Sequence, residues 1–96
     1  MGGLGYFDTR TKRFTVFSIP ELADWSVSAL LVETDVVWAG LARYPEGAAW
    51  SGGLISYNLS TGNVTRYDIP DIALTMLRRN DALFIGAFEW PIHTSK

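Results

Sequence analysis

The sequence predicts an all-β fold of short antiparallel strands, and three observations carry that prediction. Segments rich in β-branched and aromatic residues alternate with turn residues along the whole chain. Apolar residues make up 48% of the 96 residues, aromatic ones 14% and charged ones 19%, which is too hydrophobic for disorder. Finally, GGLGYFDTRTKRFTVFSIPE at residues 2–21 returns as GGLISYNLSTGNVTRYDIPD at 52–71, so one structural unit recurs.

The elements follow in chain order. Residues 2–8 and 13–19 read as two strands around Thr11-Lys12. "SVSALLV" and "VVWAGLA" flank Glu33-Thr34-Asp35 and read as a hairpin of strands 26–33 and 36–41, whose continuous apolar runs suit burial on both faces. Strands 53–59 and 63–69 flank Ser60-Thr61-Gly62-Asn63, a turn suited to a tight hairpin. "IALTML" and "ALFIGAF" make the last pair, within 72–88, around Arg78-Arg79-Asn80-Asp81. Some spacing of three and four in "ELADWSVSALLV" and "DIALTMLRR" suits a helix, but the β-branched and aromatic partners that follow favour strands. The four strands between residues 26 and 69 are expected to pair in sequence order as one antiparallel sheet. Trp38 and Phe84, in apolar strands, are expected in the core.

The repeat holds an offset of 50 through Gly3/Gly53, Leu4/Leu54, Thr15/Thr65, Ile19/Ile69 and Pro20/Pro70. Four residues then drop out, and an offset of 46 joins Leu31/Leu77, Asp35/Asp81, Trp38/Phe84, Gly40/Gly86 and Tyr44/Trp90. This period suits a propeller blade, not an α-solenoid repeat of about 34 residues.

Trp38-Ala39-Gly40, Gly52-Gly53-Leu54, Tyr57-Asn58, Thr61-Gly62, the aromatic strand Val64 to Tyr67, and Ile69-Pro70 follow one another in the complete unit. This order resembles the β-propeller repeats in sensor regions of two-component regulators. The second unit departs with Phe84-Ile85-Gly86, and the first lacks the turn glycine at Thr11-Lys12. The resemblance implies propeller-type four-stranded antiparallel blades with strands A to D, and a partial propeller of about two blade equivalents. Residues 2–19 are then strands C and D of one blade, 26–69 a complete blade, and 72–88 strands A and B of the next. Such a stack leaves broad apolar faces uncovered, and repeat arrays generally need about three units. Further copies of the chain, or the remainder of a larger propeller, are the expected partners.

Composition narrows the function. A formal charge of −2, spread along the chain, favours neither nucleic acid nor an anionic membrane. With no cysteine there is no disulfide or thiolate metal site, and no cofactor motif is present. The longest apolar run, Val36 to Ala42, is far short of the ~20 residues of a membrane span. No export signal is visible, and nothing in the composition fixes a compartment. His93, with no second histidine, supports no catalytic triad.

Two readings follow. In the first, a non-catalytic binding module presents Trp25, Arg43, Tyr44, Glu46, Trp50 and Trp90 from the loops of one end, flat apolar surface mixed with hydrogen-bonding groups that suit a glycan or peptide. In the second, the chain is an inactive or partial piece of a propeller lyase or glycosidase. The acid–base pair such an enzyme needs is not evident, which favours the first.

Overall fold

The structure, a computed structural model that describes residues 3–43 and 51–88, contains eight strands. They are β1 (Leu4–Asp8), β2 (Arg13–Phe17), β3 (Ser26–Glu33), β4 (Val36–Arg43), β5 (Ser51–Asn58), β6 (Val64–Tyr67), β7 (Ile72–Arg79) and β8 (Ala82–Phe88). β3 to β6 form one antiparallel sheet in sequence order, while β1–β2 and β7–β8 are separate antiparallel hairpins. The described residues thus make an all-β chain of one four-stranded and two two-stranded sheets, not a closed ring. Strand order follows expectation. β4 is longer than expected, and β6 is shorter.

The repeat holds at the level of single hydrogen bonds. Asp8 Oδ1 accepts from the amides of Arg10 and Thr11 at 2.8 and 3.1 Å, and Asn58 Oδ1 accepts from those of Ser60 and Thr61 at 2.9 and 3.0 Å. The amides of Lys12 and Gly62 then donate to the carbonyls of Asp8 and Asn58, each at 2.7 Å. Both residues are left-handed, with φ of 63° at Lys12 and 79° at Gly62, a region glycine enters freely and lysine does not. The other pair of hairpins also matches. Thr34 and Asn80 carry positive φ at their turns, and the ladder shifts at Val27/Ala29 in β3 and at Ala73/Thr75 in β7. A β-bulge repeated at the same step of the unit bends both strands alike.

Alternation along the strands gives the central sheet two faces. Val37, Ala39 and Leu41 of β4 and Ile55 of β5 are buried on one face, against Leu4, Ile19, Leu22 and Trp25 from the first hairpin and the segment after it. Phe17 stacks on Tyr6, with ring centroids 5.6 Å apart, and meets Tyr57 of β5 at 5.2 Å with the rings tilted by 54°, which joins that hairpin to β5. On the opposite face β7 lies across β3, β4 and β5, burying Ile72, Ala73 and Met76. The glycine of the Trp-x-Gly motif permits this approach: a Cβ at Gly40 would stand 2.8 Å from Ala73 Cβ.

Burial departs from expectation in three places. Phe84 is not a core residue but 59% exposed, because β8 turns that side away from the central sheet and no described element covers it. Trp38 is only half-buried, between Tyr67 and Arg78. β3 is not buried on both faces, since Leu30 is 49% and Val32 61% exposed beside a cavity of about 380 Å³ walled on its far side by Leu4, Tyr6 and Phe17. A continuous apolar run marks a strand able to be covered, and covering requires a neighbour.

Candidate functional site

The ladder fixes which residues share an end of the sheet. Ser26 pairs with Ala42 and Arg43 with Ser51, so Trp25 and the end of β4 lie together, opposite the turns at Thr34-Asp35 and Asn58–Asn63. Those two turns are tied to each other by the Leu59 amide, which donates to the Asp35 carbonyl at 2.7 Å.

Trp25 reaches the core through a local device. Pro20 opens a 3-10 turn, Pro20–Leu22, where its fixed φ is preorganised for helical geometry and its missing N–H costs no hydrogen bond. The amides of Leu22, Ala23 and Trp25 donate to the carbonyls of Ile19, Pro20 and Leu22, each at 3.0 Å. Asp24, with φ of 69°, reverses the chain in a conformation that aspartate tolerates. Leu22 and Trp25 are left 4% and 8% exposed.

Two guanidinium groups lie on the Trp25 ring. Arg43 Cζ is 4.4 Å and Arg66 Cζ 4.5 Å from the ring centroid, within cation–π range. Arg66 sits opposite Ile55 in the ladder and reaches across Gly53, where a Cβ would come to 3.1 Å from its Nη2. Gly53 therefore provides the floor on which the guanidinium lies. Both arginines belong to exposed residues, and among the described residues the one ion pair is Arg78–Glu33, elsewhere in the fold. Neither Arg43 nor Arg66 is thus neutralised by a described carboxylate. Two forks of N–H donors beside a flat ring suit carboxylates and other planar anions.

Of the residues singled out in the sequence, the structure brings Trp25 and Arg43 together; Tyr44, Glu46, Trp50 and Trp90 lie outside the described residues. Trp25 is a packed platform and not an open aromatic, so any ligand contact there passes through the arginines above it. Arg66 escaped sequence reasoning. Its repeat counterpart is Val16, so the repeat carries no signal for it, and its place opposite Ile55 and across Gly53 emerges only from the ladder.

A second polar cluster is structural in form. Arg78 donates to both carboxylate oxygens of Glu33, at 2.8 and 3.0 Å, and Trp38 Nε1 donates to Glu33 Oε1 at 3.0 Å, latching β7 to β3 and β4. The hydrogen bonds from Arg78 hold the Glu33 carboxyl below its ordinary range. That direction is opposite to the one a general acid needs. Among the described residues no group of three or more His, Cys, Asp or Glu is placed to hold a metal, and no helix is long and apolar enough to cross a membrane. Comparison with family models, with curated proteins and with solved structures returns no match.

Proposed function

We propose that the chain is a propeller-type binding module, non-catalytic, that takes a carboxylate-bearing peptide or glycan at the end of the sheet where Trp25, Arg43 and Arg66 gather. The observation that carries this reading is the pair of guanidinium groups, 4.4 and 4.5 Å from one buried tryptophan ring, with no described carboxylate bound to either. The ring supports both side chains by contact, which lowers the entropy lost when they close on an anion. Tyr44, Glu46 and Trp50, singled out in the sequence, follow Arg43 in the chain. The blade reading rests on the repeated turns, bulges and ladder positions together with the motif order in the sequence.

An array of acidic peptides and uronic-acid oligosaccharides, with neutral counterparts, tests the proposal and separates the two ligand sources. Arg43→Ala and Arg66→Ala should each weaken binding of the selected ligand about tenfold, the loss of one charge-assisted hydrogen bond, without moving Tm by more than a few degrees. Binding of neutral ligands alone, or unchanged affinity in both variants, contradicts it.

A further inference from the structure

We infer that a second copy of this chain completes the blade at each end: β8 of one copy adds to the free edge of β1 of the next. Within the chain the model for this junction is the β4–β5 ladder, which runs from Val36↔Asn58 to Arg43↔Ser51. Moving β4 forward by 46 positions gives β8, and moving β5 back by 50 gives β1. The junction therefore pairs Ala82 with Asp8, Leu83 with Phe7, Phe84 with Tyr6, Ile85 with Gly5 and Gly86 with Leu4. Each hairpin pairs only with itself among the described residues, so β1 and β8 each present an open edge able to accept a strand.

The same placement covers the apolar surface left open. Inside the chain, Trp38 and Leu31 occupy the face of the central sheet that β7 covers, and the Arg78 guanidinium stands 5.7 Å from the Trp38 ring. Their repeat counterparts are Phe84 and Leu77, exposed by 59% and 68%. The counterparts of Met76 and Arg78 are Leu30 and Val32, also exposed and bordering the cavity of about 380 Å³. Docking β8 on β1 brings Phe84 and Leu77 of one copy onto Leu30 and Val32 of the next, and into that cavity. One movement thus satisfies both strand edges and both apolar surfaces, and this complementarity identifies the occupant as another copy. The contact joins unlike surfaces, so it repeats from copy to copy and forms a ring where the rotation between copies closes. Two, three or four copies give rings of about four, six or eight blades, within the range propellers use. The inference is independent of the anion site.

Because the chain has no cysteine, introduced pairs report the register cleanly. Tyr6→Cys/Phe84→Cys and Phe7→Cys/Leu83→Cys are adjacent rungs, with Cα separations of about 4.5 and 5.5 Å in either order, both within disulfide reach. Both double variants should oxidise to reducible covalent multimers. Phe7→Cys/Phe84→Cys, whose side chains leave opposite faces, should not. The unaltered chain should have the native mass of a small ring. Phe84→Lys, at a position exposed in the single chain, should reduce it to single-chain mass with the β-sheet circular dichroism retained; if that variant fails to fold, the cross-links decide. A folded particle of single-chain mass, equal cross-linking of the control pair, or folding only when flanking polypeptide is supplied would each overturn the inference.

Discussion

The turns that close β1–β2 and β5–β6 are one structure made from different residues, whereas the connections that follow them are two structures begun with similar residues. At the turns, Asp8 and Asn58 accept the same two amide hydrogen bonds, and Lys12 takes the left-handed geometry that Gly62 takes. At the connections, Ile19-Pro20-Glu21 and Ile69-Pro70-Asp71 start alike and then diverge. The second enters β7 at once, its Asp71 carbonyl running so close to Gly52 that a Cβ there would collide with it. The first carries four further residues, two of which, Leu22 and Trp25, enter the core. The difference teaches that the repeated unit is defined by backbone geometry at its turns, while its linkers are free to acquire individual roles. The tryptophan platform of the candidate site, Trp25, lies on the linker that departs from the repeat, beneath Arg43 of β4 and Arg66 of β6.

Truncating the side chain that distinguishes the first connection should have the largest effect on this contrast. Trp25→Ala should cost roughly 3 to 5 kcal/mol, as truncation of a buried aromatic does, measured by denaturant unfolding. A cost below about 1 kcal/mol would make the first connection as dispensable as an ordinary loop. The second connection is probed at its contact: Gly52→Ala should cost about 1 to 3 kcal/mol, because backbone and not a flexible side chain must move. A neutral result would mean that the two connections do not differ in how they meet the sheet. The smallest effect belongs to the turns. Lys12→Gly should stabilise the chain by up to about 1 kcal/mol by relieving a left-handed lysine, while Gly62→Ala should cost about the same. Opposite signs at equivalent positions would confirm one geometry; a loss in both would show that the turns differ.

Much of the architecture was legible in the sequence because periodic patterning and turn chemistry are local. The Asp8/Asn58 and Gly62 positions, the strand pairs and the order of the central sheet follow from residues within a few positions of one another. Burial was less legible, because it depends on what covers a face. Phe84 has the pattern of a core residue and lies exposed, as do Leu30 and Val32. At the candidate site, Trp25 and Arg43 stood out by residue type and loop position. Arg66 did not, since on a strand it reads as an ordinary solvent-facing charge, and its contact with Trp25 depends on Gly53 across the ladder. The four-residue insertion was visible as a break in offset, though not that it carries side chains into the core.

The sharpest comparison left is between the closed edges of β4 and β5 and the open edges of β1 and β8, and amide hydrogen exchange reads it residue by residue. If copies complete one another's blades, the amides of Leu4–Asp8 and Ala82–Phe88 that are unbonded within their own hairpins will exchange about as slowly as those of Val36–Arg43. If instead those amides exchange near the unprotected rate while Val36–Arg43 stays protected, each chain keeps two open hairpins, and completion of one copy by the next is contradicted.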